Sequence, residues 1–284
     1  MAVEQGTMKR VFLTILLAAM AHPLSAQELL SRVETRKVDG NGLFKVDVSF
    51  AVGELLVRPA DGRLYRVAMD YADVFDPTIR FDPAGRSLSI KLDGEGGLHG
   101  EDLEDLGQRL SLDLPRNVPL DLTLEFGALE ADIDLGELML RTGKIRAGAS
   151  HTTVSFSGAT RGVCERLDFE VGAAEFEALQ LGNSGCREIS LKGAVGEMTL
   201  DFSGERLASE TRLFIKVGLG EVRLRIPEAV GILLNADRFL ASVSRAGLVK
   251  QGSAFVSPGY DGAKAKLIIE VDAALGSVEI ERFR

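Results

Sequence analysis

Histidine and cysteine are the side chains best suited to hold a metal or carry nucleophilic chemistry, and this 284-residue chain has three of the first and two of the second. Past the first 26 residues only His99 and His151 remain. Neither has an HxH, HExxH or Cys/His partner at ligand spacing, so no metal centre is expected. Ser150 beside His151 is no triad, because triad members meet in space rather than in sequence. Both histidines read as surface residues. The acidic stretch holding Asp93, Glu95, Glu101, Asp102, Glu104 and Asp105 offers two chemistries. It could collect calcium, although it lacks the ligand order of a calcium loop. It could also supply the acid and base of a polysaccharide-cleaving enzyme. Against that reading, the chain has no Trp and only Tyr65, Tyr71 and Tyr260 as tyrosine platforms for sugar. Gly218-Leu219-Gly220 runs on into the alternating segment Val222 to Ile226 instead of opening a helix, so it is not a nucleotide loop. No catalytic residue, cofactor or metal ligand is assigned, and the chain reads as no enzyme.

Cys164 and Cys186 each precede an alternating run, 22 residues apart and in the same phase. If successive repeats stack as neighbouring strands, the two sulfurs face each other across a spacing of about 4.8 Å, within reach of a disulfide. An exported protein can keep that bond. Two free buried thiols are the alternative.

What would position these groups is a phrase that recurs along the chain. Alternating apolar residues lead to a glycine-alanine step, a charge follows, and alternation resumes. It appears at Val48 to Val57, Leu124 to Ile133, Phe169 to Phe176, Leu191 to Leu200, Ile215 to Leu224 and Glu270 to Ile280. Period two argues for half-buried strands. Glycines 127, 148, 172 and 193 mark intervals of 21, 24 and 21 residues. The glycines Gly53, Gly127, Gly148, Gly172, Gly193, Gly196, Gly218, Gly220 and Gly276 are read as structural, letting the chain kink between two short strands. One such repeat cannot bury its apolar face alone, so each must lean on the next. The expected fold is all-β, a stacked β-solenoid of about eight rungs piled in chain order, roughly 40 Å long.

The N-terminus reads as a signal peptide over residues 1–26: Lys9 and Arg10, the apolar run Val11 to Met20, then Pro23-Leu24-Ser25-Ala26. An uncleaved anchor is the alternative. Removing that segment leaves 31 basic and 41 acidic residues. Such a balance disfavours nucleic acid and anionic membranes as partners. No later stretch reads as a membrane span, and the protein is expected in the periplasm or at the cell surface. Residues 27–42 form a loose or capping lead segment, 43–92 an N-terminal β module, 93–108 an exposed acidic loop, and 109–284 the main stack, continuous with 43–92.

The run Lys45 to Pro59, with its Gly53-Glu54-Leu55-Leu56-Val57, taken together with Val118-Pro119-Leu120-Asp121-Leu122-Thr123-Leu124-Glu125-Phe126-Gly127-Ala128, resembles the bacterial toast-rack N-terminal domain family. The resemblance extends to the C-terminal region of cell-wall-active antibiotics response proteins and to adhesin-type β-solenoids. It implies a stacked β fold exported to the bacterial envelope. The function expected is a structural or adhesin-like binding module whose partner is an envelope protein or cell-surface ligand. An envelope-stress regulatory protein is the alternative, and a carbohydrate-active enzyme using the acidic loop is a second. The oligomeric state is not legible in the sequence.

Overall fold

Alternation at period two sends every second side chain to the same face of a strand. The computed structural model, which describes residues 29–92, 107–238, 242–244 and 247–284, is built almost wholly of such strands. In chain order they are β1 (Leu29–Arg36), β2 (Phe44–Ala60), β3 (Tyr65–Ala72), β4 (Thr78–Asp82), β5 (Ser87–Leu92), β6 (Arg109–Pro115), β7 (Pro119–Asp134), β8 (Met139–Ala147) and β9 (Ser150–Ser155). After them come β10 (Cys164–Leu179), β11 (Cys186–Asp201), β12 (Glu210–Pro227), β13 (Gly231–Arg238), β14 (Ser242–Val243), β15 (Val249–Gln251), β16 (Ala254–Val256) and β17 (Lys266–Phe283). All belong to one sheet.

The body of that sheet is a ladder of parallel rungs. β5 and β6 together form one rung, followed by β2, β7, β8 with β9, β10, β11, β12, β17, and finally β13 with β14. Register is kept over long stretches: Asp121 faces Thr142, Thr142 faces Arg166, Arg166 faces Glu188 and Glu188 faces Arg212. Those steps of 21, 24, 22 and 24 residues are the repeat length read from the glycines.

Each full-length rung bends at its middle, and its two arms close on a shared core. The inward columns of the first arm include Val48–Leu124–Ile145–Phe169–Leu191–Ile215–Val271. Those of the second include Val57–Ile133–Val154–Ala178–Leu200–Leu224–Ile280. All these residues are buried. The arms touch directly: the rings of Phe169 and Phe176, on opposite arms of β10, lie 4.9 Å apart. In β11, Met198 fills the room left by Gly193, where an added Cβ would come within 2.4 Å of its sulfur. Gly193 is therefore a packing glycine of the interior rather than a hinge.

The bend itself depends on a second column. Gly196, Gly220 and Gly276 are in register, with φ of 137°, 153° and 112°. A Cβ on Gly220 would lie 2.1 Å from the Gly196 carbonyl oxygen, and one on Gly276 1.8 Å from that of Gly220. Two constraints coincide there: a backbone conformation that L-residues avoid and a contact that leaves no space for a side chain. Gly53 is alike, with φ of 121°. Gly127, Gly148, Gly172 and Gly218 lie just before the bend with ordinary φ, each close against backbone of the preceding rung.

One expectation needs correction. The rungs do not follow chain order throughout: β2 lies inside β5 and β6, and β17 inserts between β12 and β13. The reason is edge protection, since a terminal strand buried within the ladder leaves shorter strands to face outward. Antiparallel additions cover the ends, with β3 on β6, β1 on β3 and β4 on β5 at one end, and β16 on β13 and β15 on β16 at the other. Residues 29–36, within the lead read as loose or capping, form strand β1 on β3, which supplies a hydrogen-bonding partner that local periodicity does not reveal. The proposed signal peptide and residues 93–106 of the acidic loop, His99 included, lie outside the described residues.

Gly220→Val should destabilise the protein by at least about 2 kcal/mol, combining strained φ with overlap on the next rung. Urea unfolding of the two proteins measures this. A difference below about 0.5 kcal/mol, the range of an ordinary surface substitution, would contradict the close approach.

Candidate binding surface

Residues that point away from the core form columns too, because the stacking is parallel and in register. On the first arm the column nearest the bend reads Ser49–Glu125–Arg146–Glu170–Lys192–Lys216–Asp272. Parallel stacking at about 4.8 Å would place like charges against each other, and through most of this column the sign alternates instead. Arg146 bridges Glu125 at 3.0 Å and Glu170 at 2.9 Å. Lys144 adds a third contact to Glu170 at 3.0 Å. These contacts hold the Glu170 carboxyl below its ordinary range, with Lys144 the largest influence, Arg146 next, and partial desolvation opposing them.

The alternation breaks at Lys192 and Lys216, two cations in direct register. Glu170 is already engaged, and Lys192 approaches it only to 3.8 Å, while Lys216 meets Asp272 at 3.2 Å. Beside this pair runs the column Asp168–Ser190–Phe214–Glu270–Asn235. Phe214 stands on the outward face, between the inward Leu213 and Ile215. It lines a cleft of about 630 Å3 with Ser190, Asn235 and Glu270, and Ser253 from the β15–β16 turn stands at its edge. A second cleft of about 810 Å3 adjoins it toward the bend and shares Lys192, Lys216 and Asp272. The arrangement combines an aromatic platform, hydroxyl and amide groups and mobile charges of both signs, which suits reversible binding of a polar ligand.

The Ser190 hydroxyl donates to Asp168 Oδ1 at 2.6 Å, with no histidine beside it. His151 is exposed on the second arm, its Nδ1 2.9 Å from Glu175 Oε2. Among the described residues no group of three or more His, Cys, Asp or Glu could hold a metal ion.

Cys164 and Cys186 open adjacent rungs, are partners in register and are joined as a disulfide, both buried. The turns beside them carry a buried polar network. Asn183 Nδ2 donates to the Phe156 carbonyl at 3.0 Å, and Thr211 Oγ1 to the Cys186 carbonyl at 3.0 Å. Such bonds satisfy backbone groups that the ladder leaves open at its corners. Sequence reading did not single out Phe214, Lys192 or Lys216. The available signal was Phe214 itself, a large aromatic in the polar phase of Arg212-Leu213-Phe214-Ile215-Lys216.

Comparison with known proteins places this geometry in a class. Residues 27–165 match the family model of the N-terminal domain of toast_rack, and residues 180–280 that of the C-terminal region of the cell wall-active antibiotics response protein LiaF. The first part of the chain is thus similar to toast-rack N-terminal domains and the later part to LiaF-like C-terminal regions. Among solved structures, a putative cell adhesion protein from Clostridium sporogenes is similar, with 15% identity, 90% of this chain and 100% of that chain covered, and a TM-score of 0.51. A putative adhesin from Bacteroides fragilis aligns over 90% of this chain and 98% of its own with 10% identity and a TM-score of 0.41. No curated protein matches the chain in sequence.

Two predictions follow from this surface and its neighbouring bridge. Reducing the Cys164–Cys186 bond, which closes a loop of 22 residues, should lower unfolding stability by about 3 kcal/mol, read as a fall in urea midpoint with reductant; an unchanged midpoint would count against the bond. Glu170 contributes stability that is complete above the unfolded carboxylate pKa near 4.5 and is lost as pH falls through its lower folded value. The stability gap between wild type and Glu170→Gln should therefore be widest near about pH 6 and close on acidification below about pH 4. A gap that widens toward acid would contradict the ion-pair assignment.

Proposed function

We propose that this protein is an exported, non-enzymatic binding module of the bacterial cell envelope, adhesin-like in mode, with the first-arm clefts around Phe214 as its ligand-contacting surface. The observation that carries the reading is Phe214 itself. A phenylalanine turned outward on a charged face, bordered by Ser190, Asn235 and a lysine pair, contributes little to the core but much to a bound ligand. The fold shared with the Clostridium sporogenes protein supports the rigid-ladder architecture, and that protein's description as a cell adhesion protein is consistent with this role. Among the described residues no helix is long and apolar enough to cross a membrane. The LiaF-like match over residues 180–280 favours a second reading, an envelope-stress regulator that uses the same face to hold a protein partner.

Labelled full-length protein should bind isolated envelope material saturably. Phe214→Ala should weaken that binding at least about tenfold, the usual scale of an aromatic anchor, while leaving the urea midpoint in place. Equal binding by the variant would remove the surface from consideration. Release of soluble glycan from the same envelope material, lost on Glu101→Gln with Asp102→Asn, would replace the reading with an enzymatic one. Release of binding by prior proteolysis of the envelope would favour the protein-partner reading.

A further inference from the structure

The convex side of the bend carries an apolar ridge whose first flank, Ala194, Gly218 and Ala274, is shared with the second cleft. Ala173, Val195, Leu219 and Leu275 are in register on successive rungs and form one apolar ridge parallel to the stack. Val195 is 46% exposed, Leu219 49% and Leu275 44%. Small residues flank the ridge on both sides: Ala194, Gly218 and Ala274 before it, Gly196, Gly220 and Gly276 after it. The surface is therefore a line of knobs between two shallow troughs.

Charge is distributed unequally across it. Beyond the first trough stand Lys192, Lys216 and Asp272, and beyond the second Glu197, Glu221 and Ser277, on the same three rungs. Lysine thus shares a rung with glutamate twice, and where the first column turns acidic at Asp272 the second presents a serine instead of a third glutamate.

We propose that a second copy of this chain docks on the bend, related by a half-turn about the direction of stacking. That operation keeps each rung at its level and exchanges the two flanks. With the axis displaced sideways toward Gly196, Gly220 and Gly276, each ridge lies in the other's glycine trough, and Lys192 comes opposite the Glu197 side of the other copy, Lys216 opposite Glu221, and Asp272 opposite Ser277. A half-turn about the perpendicular in-plane direction would set lysine against lysine and glutamate against glutamate, which charge repulsion disfavours. The contact is self-complementary, as a two-fold interface requires. Ridge and troughs over a few rungs make a narrow strip, below the size of a standard stable interface, so the dimer is of the weak, reversible kind.

Light scattering coupled to gel filtration, and sedimentation over a concentration series, test this on the full chain. Wild type should pass from monomer to dimer in the micromolar range, and added salt should weaken the association. Leu219→Asp should raise the dissociation constant at least about tenfold, with an unchanged urea midpoint showing that the fold is intact. Lys192→Glu with Lys216→Glu should weaken the dimer similarly, and adding Glu197→Lys with Glu221→Lys should restore it. A wild type that stays monomeric at about 200 μM, beyond even weak association, would overturn the proposal. So would a dimer indifferent to Leu219→Asp, or failure of the fourfold charge exchange to restore association. Leu219→Asp lies outside the Phe214 cleft and Phe214→Ala outside the ridge, so loss of one activity does not entail loss of the other.

Discussion

Everything in this molecule depends on how closely one rung can approach the next at the bend. Parallel, in-register stacking makes every position a column, and a column works only if each member tolerates a copy of itself about 4.8 Å away. At Gly196, Gly220 and Gly276 the tolerance is narrow: backbone meets backbone, and no side chain fits between. Once that contact is made, the two arms are aimed at each other and the apolar columns on either side become a single core. On the rungs of β2, β11, β12 and β17 the bend is thus set by glycines at one register position, where β7 and β10 carry Leu129 and Ala174, and hydrophobic burial provides the driving force.

The same geometry determines what the outside can be. Inward columns benefit from repetition, since leucine stacks well on isoleucine, whereas outward columns of like charge repel. The first-arm column resolves this by alternating Glu125, Arg146, Glu170 and Lys192. The second-arm column from Glu175 through Glu197 to Glu221 does not alternate, although His151 and Arg223 relieve its members locally at 2.9 and 2.8 Å. Departures from the resolved pattern gather in one part of the ladder. Lys192 beside Lys216, Phe214 facing outward and the exposed ridge through Leu219 all occur on the rungs formed by β11, β12 and β17.

Much of the architecture was legible in the residues. Alternation at period two, the interval between glycines and the common phase of Cys164 and Cys186 all describe local relations that a regular stack converts directly into contacts. The insertion of β17 between β12 and β13 was not legible, because residues 266–283 carry the same phrase as any other rung and nothing local states which neighbours it takes. The pairing of strand β1 is faint in the sequence for a related reason. Its Leu29, Leu30 and Val33 stay exposed, so its pairing rests on backbone hydrogen bonds to β3 and leaves little hydrophobic periodicity behind. The candidate surface leaves the faintest trace in the sequence, since it contains no histidine or cysteine and none of the acidic loop. Its signal was a single phenylalanine in the wrong phase, and the lysine pair becomes a pair only when residues 24 apart are brought into register.

The central claim, a bent parallel ladder closed by glycines, is most directly tested by amide-to-alpha-proton contacts in nuclear magnetic resonance spectra of the full chain. The structure requires such contacts from Gly196 to Gly220 and from Gly220 to Gly276, the second joining residues 56 apart in sequence. Finding both establishes the in-register bend and the inserted final strand together. Contacts that instead join β12 to β13, or antiparallel partners at these glycines, would contradict it.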